Sequence, residues 1–388
     1  MTQTRIDPRL TILFLWLAGI LAAGQFAKIS VTFPTFRELY PEQGASLGFL
    51  VSAVSVMGVV FGLFAGLMIA RIGYKRLLVA AMLMGGVMSI VQAALPPFAI
   101  MLASRAIEGV SHLVIVVAAP TMMAQIAPPE FRNTAMTLWG TVFTVAIAIF
   151  AFLGLPFVEY AGIAALFLLH GAALIVMAWV MSRILPRLTK GQAMPAFGLR
   201  DVISQHLRAY SSARIAAPAA GWVFYAAAFV ALVTVLPDFL PQDQRAFLTG
   251  ILPIAALVVS MTLGIGLMKV FSPVSVLVAG FAFGGLATVA LASGVAPSLS
   301  AVALLGAMGL IQAGSFSAIP VLNVTAEDQA LANGAVAQAG NTGNLIGTPL
   351  LLVLIEGFGF AGLIGFALVL FVGGIAVHLF LAARRRAG

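Results

Sequence analysis

Apolar residues fill this chain in long unbroken windows, with polar residues gathered between the windows. A window of about 20 apolar residues is long enough to cross a bilayer as an α-helix. Lipid offers no hydrogen-bond partner to the backbone, so each window is predicted to be helical. The twelve predicted crossings are residues 10–34, 46–70, 77–95, 98–126, 133–157, 161–183, 214–236, 246–269, 273–293, 298–322, 333–355 and 361–383.

The loops between these windows carry positive charge mainly on one side of the predicted membrane. Twelve crossings place both chain ends on the same side, and short cytoplasmic loops are rich in lysine and arginine. If both ends are cytoplasmic, the only cations elsewhere are Arg37 and Arg245 in outer loops and Lys28 and Arg105 within crossings. We therefore predict a multi-pass protein of the bacterial cytoplasmic (inner) membrane with both termini in the cytoplasm.

Composition supports the same class of protein. Hydrophobic residues make up 62% of the 388 residues and charged residues only 8%, whereas soluble domains carry about 25% charged residues. Without cysteine, neither a disulfide framework nor a thiolate metal site can form. The net charge of +8 is spread over short loops, which argues against nucleic acid as a partner. No carboxylate pair, Ser/His/Asp set or phosphate-binding loop lies at a water interface. We expect no enzyme activity, cofactor or metal.

The longest polar connection, residues 184–213, divides the chain into segments 1–183 and 214–388. Several residues recur at an offset of 200, for example Pro120 and Pro320. Paired six-helix halves are typical of secondary transporters. The predicted fold is an all-α membrane protein with twelve transmembrane helices in two pseudo-symmetric six-helix bundles. The basic linker between them is expected to lie against anionic lipid.

The fourth predicted crossing contains ionisable residues on one helical face. Arg105, Glu108 and His112 are spaced i, i+3 and i+7. Ionisable residues at membrane depth are costly and usually face a bundle interior or a water-filled cavity, so they are candidates for function. The simpler alternative is an ion pair between Arg105 and Glu108 that only holds helices together, with His112 as a hydrogen-bonded histidine of the bundle.

Two short motifs resemble those of the major facilitator superfamily. The loop after the second crossing is similar to that family's G-x-x-x-D-R-x-G-[RK]-[RK] signature, although Ala70 replaces the acid and Tyr74 one basic residue. Arg105-x-x-x-Gly109 resembles the family's fourth-crossing motif, whose arginine is associated with proton coupling. The glycine-proline motif of the drug-exporting branch is missing from the fifth crossing. The resemblance implies a cytoplasmic gating loop built from Gly66, Arg71, Gly73, Lys75 and Arg76.

In the family's fold, crossings one, four, seven and ten line a central cavity. Lys28 lies six residues before Pro34, and Arg105 seven residues after Phe98, so each is about 10 Å below the outer surface. Two desolvated cations at one level repel unless an anion lies between them. We expect Glu108 to neutralise one cation, and water in a shared cavity or an anionic substrate to satisfy the other. Alternatively, Lys28 reaches the outer headgroups.

Polar and aromatic residues near the midplane complete a candidate site, because ligand pockets combine apolar faces with a few orienting polar groups. Packing or helix association would equally account for the aromatic and amide residues. Proton coupling is assigned to Arg105, Glu108 and His112. The candidate substrate-binding residues are Gln25, Lys28, Arg105, His112, Trp222, Tyr225, Phe229, Gln312, Ser315, Asn341 and Asn344.

These observations favour a monomeric secondary transporter of a small organic anion that works by alternating access, either coupled to protons or as a uniporter. Because the export motif is missing, we expect the protein to import its substrate. One alternative is import of a metal ion or a flavin- or siderophore-like compound, based on 16 methionines together with His112 and His170. Another is drug/proton efflux. The expected partners of the protein are a small-molecule substrate, protons and membrane lipids.

Overall fold

The structure is a computed structural model that describes residues 7–63, 65, 69, 72–128, 131–185 and 199–387. Eleven helices in this part of the chain are long and apolar enough to cross a membrane. They are α1 (Pro8–Ser30), α2 (Pro41–Phe61), α3 (Tyr74–Ala93), α4 (Phe98–Ile126), α5 (Val142–Ala161), α6 (Ile163–Ile184), α7 (Ala216–Phe239), α8 (Arg245–Leu267), α9 (Pro273–Ala292), α10 (Pro297–Leu322) and α11 (Ala326–Ala387).

The helix bounds follow most of the predicted windows closely, with three differences. The second window, 46–70, differs at both ends from α2 at Pro41–Phe61. The fifth window, 133–157, is interrupted: Arg132–Trp139 forms a separate short helix before α5 begins at Val142. The last two windows fall within α11, which is long enough for two crossings and changes direction at Gly359. There the backbone adopts φ 57° and ψ −136°, a region that residues with a side chain avoid.

Local sequence explains where several helices begin. Asp7 caps α1 by accepting a hydrogen bond from the backbone N–H of Arg9 at 2.8 Å. Ser272 caps α9 in the same way through the N–H of Ser275 at 3.1 Å. Proline follows each cap in the first helical turn, where its missing N–H costs nothing.

Packing divides the chain into two compact units. The first comprises Met1–Thr32 and Phe64–Pro195, and within it α3 packs on α6 and α4 while α1 packs on α4, α5 and α6. The second comprises Phe33–Leu63 and Ala196–Gly388, where α7 packs on α11 and α10 on α8 and α9.

Helix α2 belongs to the second unit because it lies against α11 through small residues. A Cβ atom at Gly48 would meet the backbone of Pro349, and one at Gly58 would meet the side chain of Asn341. Glycines allow two membrane helices to approach closely. Packing thus groups α2 with later helices, whereas the sequence division at 1–183, 184–213 and 214–388 follows chain order and stays a prediction.

The bend in α11 can be tested by substituting glycines. Gly357 and Gly359 both have open space where a Cβ would be placed, but only Gly359 has a positive φ. We expect Gly359→Ala to lower the free energy of unfolding by about 1–3 kcal/mol, measured by thermal unfolding in detergent. The control Gly357→Ala should be neutral or slightly stabilising. Equal effects of the two substitutions would contradict the bend.

Candidate functional site

In the first unit, one carboxylate lies between two buried cations. The Lys28 ammonium on α1 is 2.7 Å from Oε1 of Glu108, and the Arg105 guanidinium pairs with Oε2 of the same carboxylate. All three side chains have 0% exposed surface. The sequence predicted that Glu108 would neutralise one cation. Instead, its two oxygens contact both.

Helix α3 supplies further acceptors for Lys28. The ammonium donates to Oε1 of Gln92 at 2.7 Å and to Oγ of Ser89 at 3.1 Å. The amide nitrogen of Gln92 donates in turn to Oε2 of Glu108 at 2.9 Å. An ammonium has three N–H groups, so Glu108, Gln92 and Ser89 satisfy Lys28 completely.

Helix α6 contributes His170 and Phe167 to this cluster. His170 lies with Nδ1 3.2 Å from Oγ of Ser89 and Nε2 2.9 Å from the carbonyl oxygen of Leu21. A carbonyl can only accept, so Nε2 is the donor. The ring of Phe167 faces the Lys28 ammonium at 4.7 Å from its centroid. From the sequence, His170 was considered only in the metal-import alternative, and no role was predicted for Ser89, Gln92 or Phe167.

The geometry corrects one expectation and leaves a charge imbalance. Lys28 and Arg105 contact the same carboxylate and neither side chain is exposed, so the expected aqueous cavity is not the environment of these side chains. Taken by themselves, the three described groups Lys28, Arg105 and Glu108 carry one excess positive charge when all are ionised. Burial of uncompensated charge is costly.

Two more candidates on α1 and α4 lie beside the cluster. Gln25 donates from Nε2 to Oγ of Ser111 at 3.0 Å, while its Oε1 is buried without a partner. His112 donates from Nδ1 to the carbonyl oxygen of Ala22 at 3.1 Å, and its ring meets Phe26 edge-on at 5.0 Å. Both side chains therefore hold α1 against α4.

In the second unit, the predicted aromatic residues of α7 form a stack. The rings of Trp222 and Tyr225 lie 4.3 Å apart at 17°, and those of Tyr225 and Phe229 5.4 Å apart at 14°. Phe316 on α10 meets Trp222 edge-on at 4.8 Å. Tyr225 and Phe229 are buried, whereas Trp222 keeps part of its surface exposed. Trp222 is thus the member of the stack best placed to meet a solute.

Among the described residues of the second unit, several buried polar atoms have no hydrogen-bond partner, in contrast to the cluster around Lys28. They include Oγ of Ser315 on α10 and Oδ1 of Asn344 and Oγ1 of Thr348 on α11. Asn341 donates to the carbonyl oxygen of Ala337 at 2.9 Å, and Gln312 is half-buried on α10. Because a buried polar atom without a partner costs free energy, these atoms are candidate ligand contacts.

The predicted gating loop is described only in part. Gly66 and Arg71 lie outside the described residues. Gly73 precedes α3 with φ 113°, which requires glycine. Lys75 donates to the carbonyl oxygen of Leu185 at 2.6 Å, and Arg76 is exposed.

The two cations predicted in outer loops both contact Asp238, one at its side chain and the other at its backbone. Arg37 forms an ion pair with the carboxylate of Asp238, and Arg245 donates from Nη2 to the carbonyl oxygen of Asp238 at 2.9 Å. Arg37 also lies over the ring of Phe33, 5.0 Å from its centroid. This contact ties the segment after α1 to the end of α7 within the second unit.

Comparison with protein families decides the class. The family model described as Major Facilitator Superfamily matches residues 15–320, more than half of the chain. The chain belongs to the major facilitator superfamily. A comparison with curated proteins finds no match. Membership confirms the predicted all-α membrane fold and makes the protein a multi-pass secondary transporter of some solute. Members of this superfamily carry small molecules and are generally not enzymes.

The shared carboxylate yields a stability prediction for this superfamily member. Glu108→Gln would leave Lys28 and Arg105 buried without a counter-charge, so we expect a loss of about 3–5 kcal/mol in unfolding free energy. Adding Lys28→Met should recover part of it. The measurement is thermal unfolding in detergent.

The control is an exposed ion pair. Glu327, 69% exposed, pairs with Arg208 in the linker helix Leu199–Ser211; this hydrogen bond raises the pKa of the Arg208 guanidinium above its usual value. Glu327→Gln should change stability little, because exposed pairs are weak. If Glu327→Gln lowered the free energy of unfolding as much as Glu108→Gln, burial of the ion pair would not explain the effect.

Proposed function

We propose that this transporter carries a small organic anion together with a proton, by alternating access across the bacterial cytoplasmic membrane. The observation that carries the proposal is the excess positive charge buried around Glu108. An anionic solute near Lys28 and Arg105 would balance that charge. Loss of one proton from the cluster would balance it equally well.

Lys28 is the group that we assign to proton exchange. Arginine does not lose its proton in proteins, and Glu108 is already the counter-charge of both cations. A neutral Lys28 amine would have two N–H groups and one lone pair, and the Ser89 hydroxyl, which donates to the carbonyl oxygen of Phe167 at 2.9 Å, would turn to donate to that lone pair. The same three partners therefore serve both forms of Lys28, and the neutral form loses the hydrogen bond between Ser89 and Phe167.

Coupling follows from this competition. With an anion bound, the second positive charge is balanced and Lys28 keeps its proton; without the anion, release of the proton restores neutrality. Anion and proton then enter and leave together, which is symport. We assign proton coupling to Lys28 with Arg105 and Glu108, and we treat His112 as a hydrogen-bonded neighbour because it is bonded to Ala22.

We propose that the second unit has solute contacts of its own. Trp222 offers a partly exposed aromatic face, and Ser315 and Asn344 offer polar atoms that the protein leaves unsatisfied. Tyr225, Phe229, Asn341 and Gln312 remain in the proposed site as supporting residues. We further propose import, a monomer and cytoplasmic termini, based on the missing export motif and the distribution of cations.

The metal alternative finds less support. Both ring nitrogens of His170 already have partners. Among the described residues, no group of three His, Cys, Asp or Glu side chains could hold a metal ion. Nothing in the two units favours drug efflux over anion symport.

Transport in proteoliposomes tests the proposal. Labelled mono-, di- and tricarboxylates would be supplied outside, with and without an imposed pH gradient, alkaline inside. We expect at least one to accumulate faster with the gradient. Lys28→Gln should reduce this pH-driven uptake by roughly 10²-fold, the magnitude for loss of a positioned proton-transfer group.

Lys269→Gln is the matched control, because Lys269 is exposed after the end of α8; its uptake should equal that of wild type. If folded Lys28→Gln and Arg105→Gln variants take up every carboxylate like wild type, the anion proposal is wrong.

Ser315 offers a second, independent test. Its buried hydroxyl has no partner, so Ser315→Ala should leave stability unchanged or raise it. If the hydroxyl contacts the solute, the same variant should raise KM for uptake. Thr288→Val is the control: the Thr288 hydroxyl donates to the carbonyl oxygen of Gly284 at 2.8 Å, so its loss should lower stability and leave KM unchanged. An unchanged KM in Ser315→Ala would remove Ser315 from the site.

A further inference from the structure

Four arginines meet at one end of the second unit. Arg385, near the end of α11, donates from Nη1 to the carbonyl oxygen of Ala213 at 3.0 Å, just before α7 begins. This bond brings the run Arg384, Arg385 and Arg386 beside Arg214, and Arg385 is within electrostatic range of both Arg214 and Arg386. We call these four residues the arginine cluster.

The arginine cluster has no acidic partner in the part of the chain that the structure describes. Every ion pair found there involves Lys28, Arg37, Arg105 or Arg208 instead. Arg214, Arg384 and Arg386 are exposed. Like charges held close together repel, so the fold maintains a concentration of positive charge that an external anion would relieve.

The backbone at this place adds to the positive field. The Ser212 hydroxyl accepts the N–H groups of Arg214 at 3.4 Å and Ile215 at 3.3 Å, which turns the chain into the first turn of α7. The N-terminus of a long helix carries partial positive charge. An anion held by the arginines would also lie near this helix end.

Lipid-facing side chains border the arginine cluster on its other side. Leu379 and Phe380, one turn earlier on α11, are 59% and 60% exposed, and the Arg384 guanidinium lies over the Phe380 ring, 6.0 Å from its centroid. In a membrane protein, large exposed apolar residues of a crossing helix face lipid tails. The boundary between tails and headgroups therefore passes between Phe380 and the arginines.

We propose that the arginine cluster is a binding site for the headgroup of an anionic phospholipid. The phosphate would bind to Arg214 and to Arg384 or Arg386, which point to different sides of α11, through charge-assisted hydrogen bonds, and an acyl chain would follow Leu379 and Phe380. Clusters of four or more Lys or Arg at the end of a membrane helix suit such lipids. A bound lipid would join the ends of α7 and α11, a role that lies beyond solute transport.

Thermal unfolding of the purified full-length protein in detergent tests this site. Phosphatidylglycerol should raise Tm in a saturable manner, while phosphatidylcholine and inorganic phosphate at the same concentrations should not. In the triple variant Arg214→Gln/Arg384→Gln/Arg386→Gln the Tm shift should vanish, with affinity falling about fivefold for each charge removed. This variant keeps the bond between Arg385 and Ala213, so its fold should be preserved.

The matched control is Arg183→Gln at the end of α6. Arg183 is exposed and lies over the Trp179 ring, 5.7 Å from its centroid, so it resembles Arg384 without belonging to the cluster. Its variant should keep the full response to phosphatidylglycerol. A full response in the triple variant, no response in wild type, or an equal response to inorganic phosphate would each overturn the lipid site.

Discussion

The Glu108 carboxylate sets the geometry of the first unit. Each of its oxygens serves a different cation, and all three charged groups are fully buried. In lipid, apolar surfaces gain little from association, so polar bonds between helices determine which helices meet. Lys28 brings α1 to this carboxylate and Gln92 brings α3, whereas Arg105 lies on α4 itself, one turn before Glu108. The position of three helices therefore depends on one side chain.

The cluster around Lys28 in the first unit and several buried polar groups of the second unit differ in how fully they are hydrogen-bonded. In the first, His170 has a partner at both ring nitrogens and Lys28 at every N–H. In the second, His378 is 1% exposed with no hydrogen bond at either ring nitrogen, and Ser315 lacks a partner as well. A satisfied network is rigid, whereas unsatisfied groups gain free energy when a ligand or water reaches them. This contrast supports charge compensation in one unit and solute contacts in the other.

The sequence predicted the membrane helices well because their signal is local. The window at 98–126 coincides with α4, where Pro97 fixes the start. The sequence could not show that α11 continues through residues 356–360, because only the backbone at Gly359 separates the last two crossings. Ser89 and Gln92 were missed since neither is ionisable, although their i, i+3 spacing is the signal that identified Arg105 and Glu108. That Glu108 bonds both cations depends on side-chain rotamers, which spacing does not determine.

The charge imbalance constrains how a carrier with this cluster can move. Alternating access requires an empty and a loaded form, and each must bury Lys28 and Arg105 at an acceptable cost. Glu108 meets only half of that requirement, because one carboxylate balances one cation. Gln92 and Ser89 stabilise the second cation with dipoles, which offset part of its desolvation without neutralising it. Under the proposed function, a bound anion or a departing proton supplies the remaining free energy, and loss of the Lys28 proton turns the Ser89 hydroxyl away from the carbonyl oxygen of Phe167.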